Sequence, residues 1–406
     1  MFPRRCRMFG CGLLIISVSV MCVLQLSTRP REYMRRLSSI TAPVVGVLKN
    51  VSSTITGIVP VTYNVIRYVD TITDVITAPP EDRETNKSGR YVSMCAENLD
   101  KRRIGNQLFN FAAMLHVARL TGRRVVMLRR HPHGWLDRWF QVPVTRVDHI
   151  QRELYPCISV GERASLVYSS STLSTLSNRT YIAGKNILIC GFFQNWKYTL
   201  RVESALRYHL QLLPNVQAAV RNYLEQIRPP MWKGQSFSRV GIHVRAGDIM
   251  RRDMWVYGYT IPQRPYFVQA MSRFVNLQQE RHAGRVQFIV TSDSLDWVMR
   301  SINFTSIAQH LNRTSFSTNN EVVVDVAHSE GHDSGFDLAL LSVCDGVIMS
   351  TGTYGWWGAW LANKTTIYYS NWPRVGSPLR LLFKSDDFFP QKWIPMGGPE
   401  FPCCQA

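Results

Sequence analysis

The sequence predicts an α/β fold of doubly wound, parallel βαβ units, and three observations carry that reading. Short apolar runs rich in β-branched residues recur at 125–128, 187–192, 240–244, 286–291, 322–326, 347–350 and 366–369. Near-continuous apolar runs of this length are how strands covered on both faces read. Helix-like stretches separate them, and such alternation is the pattern of a parallel sheet wrapped by helices. At least one run, 240–244, ends in a burst of polar residues, as expected where strand carboxyl ends open onto a ligand crevice.

Ahead of these units the chain is different. Arg4, Arg5 and Arg7 precede an uncharged stretch, 8–27, that includes Leu13, Leu14, Ile15, Ile16, Val18, Val20, Val23 and Leu24. Its length suits a helix crossing a bilayer. No small-x-small cleavage site follows, so the reading is an uncleaved anchor rather than a secretory signal. A tail at 1–7 would then be cytosolic and the bulk of the chain luminal. Residues 28–90 read as a stem. Within it Val44, Leu48, Val51, Ile55, Ile58, Val65, Val69, Ile72 and Ile76 form a heptad-like seam that could pair two stems into a homodimer. Gly57 and Pro60 argue instead for an extended spacer, ending at Pro79 and Pro80.

Composition agrees with a luminal placement. Six Asn-x-Ser/Thr sites occur, at Asn50, Asn86, Asn178, Asn303, Asn312 and Asn363. Cys95, Cys157, Cys190, Cys344, Cys403 and Cys404 follow the apolar span. An even number fits an oxidising compartment but leaves their pairing open, and Cys344, in an apolar stretch, also reads as a buried thiol. The formal charge of +19 comes from scattered arginines rather than one basic helix with interleaved aromatics. That pattern disfavours nucleic acid and points to a small anion such as a sugar nucleotide.

The main part divides into 91–235 and 236–406, and three clusters in it carry chemistry. The first is Arg103, Ile104, Gly105, Asn106 and Gln107 before an apolar helix over 106–120 that Gly122 closes. Gly105 permits a close turn, and Asn106 supplies amide groups, or merely an N-cap. The second is the strand end His243, Val244, Arg245, Ala246, Gly247, Asp248. Arg245 can clasp a phosphate through two donors, His243 can bond a base or phosphate, and Asp248 can orient Arg245 or accept a proton. A structural salt bridge beside a core histidine is the alternative. The third runs from Phe336 and Asp337 to Trp357, read as helix, strand, then a hydroxyl-and-glycine loop opening another helix. Such a loop binds phosphate readily. Trp356, Trp357 and Trp360 sit at near-helical spacing and read as core. No Asp-x-Asp triplet occurs, so arginines and helix dipoles would have to stabilise a departing diphosphate.

These clusters, in this order over 102–370, resemble the galactoside α-1,2-fucosyltransferase family. The His243 to Asp248 strand end and the Ser350 to Leu361 segment, with its Thr-Gly-Thr-Tyr-Gly-Trp-Trp core, are the most specific pieces. Arg103 to Gln107 and Val290 to Asp293 add to them. The resemblance implies a GT-B-like pair of Rossmann-type domains, the first on the acceptor side and the second binding the donor. It implies GDP-β-L-fucose as donor, a terminal β-galactoside as acceptor, inversion, no required metal or other cofactor, and a single-pass type II protein of the Golgi membrane. By that analogy His243 and Asp337 contact guanine, Arg245 the β-phosphate, Ser350, Thr351, Thr353 and Tyr354 the phosphates or fucose, and Asn106 and Gln107 the opposite wall. Asp248 and Asp253 are the candidate general bases, Asp248 preferred. One position departs from the family: its second adjacent arginine is Ala246 here, with Arg251 or Arg252 placed to reach back. Another linkage or acceptor class, or an inactive glycan-binding homologue, are the alternatives. Acceptor contacts fall to the loops at 250–265 and 131–144.

Overall fold

The computed structural model describes residues 90–95, 103–128, 136–142, 144–147, 156–161, 166–279, 284–314, 321–326 and 334–402. The anchor at 8–27, the tail before it, the stem up to residue 89 with its seam, Asn50, Asn86, Cys403 and Cys404 lie outside the described residues.

Two parallel sheets organise the described chain. The first contains β1 (Tyr91–Met94), β2 (Arg124–Leu128), β3 (Thr145–Val147), β4 (Cys157–Gly161) and β5 (Asn186–Cys190), in the order β3-β2-β1-β5-β4. The second contains β6 (Ser238–Val244), β7 (Arg285–Ser292), β8 (Glu321–Val326), β9 (Gly346–Met349), β10 (Thr365–Tyr369) and β11 (Ile394–Met396), in the order β11-β10-β9-β6-β7-β8. Counted from β6, that order is the 3-2-1-4-5-6 of a dinucleotide-binding sheet. The first sheet departs from it, because β5 sits beside β1 and leaves β4 at the edge. Among the described residues every pairing between these strands is parallel, which accounts for the apolar runs. The α/β class read from alternation therefore holds, and each of its seven predicted runs falls on a strand. β1, β3, β4 and β11 had no such signal, because a polar residue or a proline interrupts each of them: Ser93, Arg146, Ser159 and Pro395.

Among the longer helices are α1 (Ile104–Thr121), α2 (Pro214–Gln226), α3 (Arg264–Gln279), α4 (Leu295–Ile302), α5 (Phe304–Thr314), α6 (Ser334–Ser342) and α7 (Thr353–Ala362). Gly122 closes α1 in the left-handed conformation, φ 64°. Its first turn differs from the expectation. Arg103 is the N-cap, and Asn106 lies inside the helix, its N–H donating to the Arg103 carbonyl at 2.9 Å. Gly105 does not make a turn either. A Cβ there would meet Thr353 Oγ1 at 2.7 Å, so its hydrogen lets the starts of α1 and α7 touch.

That contact joins the two sheets into one hydrophobic core. Phe109 of α1 lies 4.6 Å from Trp356 and 5.1 Å from Trp357 of α7, ring centre to ring centre. Trp356, Trp357 and Trp360 are buried, as their spacing suggested. Cys95 and Cys190, just past β1 and at the end of β5, form a disulfide with Cα atoms 5.1 Å apart. Cys157 and Cys344 are free thiols. Cys344 is the buried one, its thiol pushed up to about 12 by burial and by Asp345. Asn178, Asn303, Asn312 and Asn363 are all exposed.

Candidate active site

The order of the second sheet reverses between β6 and β9, and a crevice of about 890 Å³ opens where their carboxyl ends diverge. Arg103, Asn106, Gln107, His243, Arg245, Asp248, Asp293, Asp337, Thr353 and Tyr354 all line it. Sheet topology thus gathers residues as distant in sequence as Arg103 and Tyr354.

Arg245 sits at the centre. Its backbone N–H donates to Ser350 Oγ at 2.8 Å, and Nη2 reaches both oxygens of Asp248 at 3.0 and 3.2 Å. The guanidinium lies 5.2 Å from the Tyr259 ring centre and packs on Gly352. Nε is buried without a hydrogen-bond partner. Asp248 also faces Arg103, 3.6 Å away across the crevice. One carboxylate therefore hydrogen-bonds Arg245 and draws the exposed Arg103 guanidinium toward the same spot from the other half of the chain.

His243 packs beneath Tyr354, ring centres 5.0 Å apart. Its Nδ1 faces Gly355 and is buried without a hydrogen bond. Burial, reinforced by the Arg245 charge, lowers its pKa to about 3. It is a neutral imidazole at any ordinary pH, suited to hydrogen bonding rather than to holding an anion by charge. The Tyr354 hydroxyl donates to the Ser334 carbonyl at the start of α6, the helix that carries Asp337.

On the opposite wall Asn106 Oδ1 accepts from Gln194 Nε2 at 2.9 Å and from Thr353 Oγ1 at 3.2 Å. It ties the first sheet to α7. Asp293, at the end of β7, accepts the Ala246 N–H at 2.7 Å and packs against Gly247. It fixes the turn that aims Arg245.

The structure brings most of the predicted site residues together but not all. Ser350 and Thr351 are fully buried behind the wall rather than lining it. Asp253 lies outside the crevice and pairs with Arg251, both largely exposed. Neither Arg251 nor Arg252 reaches back into the site. Ala246 is buried, and the second arginine at Asp248 is Arg103. Gln194 had no role in the sequence reading; Asp293 entered it only as part of the Val290 to Asp293 match, and Tyr257 and Tyr259 only as members of the 250–265 loop. Asp293 also had a signal as a polar residue closing a strand, whereas no pattern singled out Gln194.

Residues 74–396 match the family model described as Glycosyl transferase family 11. The galactoside 2-alpha-L-fucosyltransferase SEC1 of Bos taurus is 25% identical over 296 residues, 72% of each chain. The galactoside alpha-(1,2)-fucosyltransferase 2 of Mus musculus is 27% identical over 294 residues, 72% of this chain and 75% of that one. Among solved structures, POFUT1 in complex with GDP-fucose is 13% identical with a TM-score of 0.44, covering 69% of this chain and 96% of that one.

Proposed function

The chain belongs to glycosyl transferase family 11, and from that premise we propose that it transfers L-fucose from GDP-β-L-fucose to the 2-hydroxyl of a terminal β-galactose. The names of its bovine and murine relatives, galactoside fucosyltransferases of α-1,2 specificity, support the sugar transferred, its linkage and the galactoside acceptor. The observation in this chain that carries the reading is the convergence of Arg245 and Arg103 on Asp248 inside the crevice. Such a pair of forks suits a diphosphate.

The 2-hydroxyl oxygen attacks fucose carbon 1 in line, the bond from that carbon to the β-phosphate oxygen breaks, and configuration inverts. Negative charge grows on the departing GDP, so donors aimed there lower the barrier most, by about 3–4 kcal/mol each on the scale of preorganised oxyanion donors. Arg245 supplies them, with Arg103 from the facing wall. His243 and Asp337 hold guanine through hydrogen bonds, and Thr353 and Tyr354 hold the phosphates or fucose. Asn106 and Gln107 shape the facing wall. Ser350 acts from behind by fixing the Arg245 backbone. Asp248 is the carboxylate in reach to take the hydroxyl proton, and the reaction needs no metal ion. Residues 91–235 serve the acceptor side and 236–406 the donor.

The same reading makes this a single-pass type II protein of the Golgi membrane, anchored by 8–27, with 28–90 as a stem and potential dimer contact. The Cys95–Cys190 disulfide and four exposed sequons are compatible with a luminal body. The test is the full chain in detergent with GDP-fucose, a β-galactoside and excess EDTA. An α-1,2-linked product is expected. A different linkage, or turnover that stops in chelator, overturns the corresponding part of the proposal.

A further inference from the structure

Three aromatic rings line the crevice beside Arg245. Tyr259 lies under the guanidinium, and Tyr257 and Trp372 flank it with ring centres at 6.2 and 6.0 Å. Their planes are inclined to Tyr259 by only 34° and 39°, so the faces form a shallow terrace rather than an edge-packed cluster. Trp372 is buried and Tyr259 partly so, whereas Tyr257 is 40% exposed. A large ring left half in solvent at the wall of a crevice offers a face to a ligand.

The terrace is braced. Tyr257 ends a short helix, Arg252–Tyr257, and Arg374 clamps that helix from outside. The Arg374 guanidinium stacks on Trp255 at 4.0 Å, and its backbone N–H donates to the Gly258 carbonyl at 3.0 Å. Gly258, at φ 131°, presses on Ser377 and Leu379, where a side chain would collide. Holding Tyr257 in one place spares a ligand the cost of ordering it.

We infer that Tyr257, backed by Tyr259 and Trp372, is the platform on which the acceptor galactose stacks, and that it selects galactose by its axial 4-hydroxyl. This rests on the transferase reading above and assigns the acceptor's place within it. The axial hydroxyl clears one face of the pyranose and leaves the hydrogens of carbons 3, 4 and 5 as a contiguous apolar patch that can lie on a ring. In glucose the equatorial 4-hydroxyl sends hydrogen 4 to the opposite face, so the same face offers only the spaced axial hydrogens of carbons 1, 3 and 5 and packs less closely on the ring. The terrace begins at Arg245, where the leaving diphosphate is held, so a galactose on it lies next to the reacting carbon. Tyr259 cannot be removed without disturbing Arg245. Tyr257 can.

Initial rates are measured with the full chain in detergent, varying GDP-fucose and methyl β-galactoside independently, beside saturation-transfer NMR of methyl β-galactoside and methyl β-glucoside without donor. Tyr257→Ala is expected to raise the acceptor KM at least fivefold while moving the donor KM less than twofold, and Tyr257→Phe to keep the wild-type acceptor KM. The NMR transfer should favour galactoside over glucoside and vanish in Tyr257→Ala at an unchanged melting temperature. An unchanged acceptor KM in Tyr257→Ala, or equal rises in both KM values, overturns the platform. So does equal transfer to both sugars. If the wild type binds galactoside through Tyr257 but transfers no fucose, the platform stands and the transferase reading falls.

Discussion

Ser350 Oγ accepts the backbone N–H of Arg245 at 2.8 Å, while the Ser350 N–H donates to the His243 carbonyl at 3.0 Å. The two bonds stitch the end of β9 to the end of β6 at the point where the sheet order reverses. Ser350 is fully buried, so its hydroxyl works on the protein, not on a ligand. Ser350→Ala leaves a buried donor without a partner, which costs about 1–3 kcal/mol. Because that donor belongs to the arginine at the centre of the site, kcat/KM should fall by about tenfold to a hundredfold. Thermal melting and initial rates check both. Full activity would show that Arg245 is held by its side chain alone.

Gly105 offers a second test of how the halves are joined. A methyl group there would sit 2.7 Å from Thr353 Oγ1 and 3.0 Å from the Thr353 carbonyl carbon. Gly105→Ala should therefore destabilise by about 1–3 kcal/mol, as overpacking does. Adding Thr353→Ala relieves the side-chain collision but not the backbone one, so the double variant should recover only part of the melting temperature. Strict additivity would mean the helices do not touch.

Much of this architecture was legible because burial on both sheet faces forces apolar runs, which is why 240–244 and 347–350 could be read as strands. The 3.6-residue spacing of Trp356, Trp357 and Trp360 likewise announced core. What stayed hidden depends on how distant segments meet. Nothing in Ile104, Gly105, Asn106 says that the glycine faces another helix, or that Asn106 Oδ1 will bridge Gln194 and Thr353. Ser350 and Thr353 look alike in sequence, yet one helix start turns the first inward and the second to the crevice. Arg103 fell in a recognised cluster, but its position opposite Asp248 follows only from the packing of α1 on α7.

The two candidate bases separate cleanly. Asp248 lies in the crevice between Arg245 and Arg103, whereas Asp253 is held by Arg251 in solvent, where that hydrogen bond keeps its carboxyl below the usual range. Asp253→Asn should leave kcat and both KM values within about twofold, since exposed pairs contribute little. Asp248→Asn should lower kcat/KM by about a hundredfold, the scale of general acid–base effects. An equal loss in both variants would move the proton acceptor out of the crevice.

His243 makes the fold sensitive to acid. Its pKa is about 3 in the folded protein against 6.5 for an ordinary histidine, burial being the main cause and Arg245 the second. The unfolded chain thus takes up a proton near pH 6.5 that the folded chain refuses. Stability from this group is fully present above pH 6.5 and drains away as pH falls toward 3, at up to about 1.4 kcal/mol per pH unit. His243→Gln cannot take up that proton, so urea unfolding midpoints followed from pH 7 to pH 4 should slope less steeply than in the wild type. His116, also lowered by burial, titrates in both proteins and cancels in the difference. Because the imidazole stays neutral from pH 5 to 8, the wild-type pH–rate profile should show no inflection from His243 near 6.5. Parallel unfolding curves for the two proteins would mean that the imidazole takes up its proton in the folded protein as readily as in the unfolded chain.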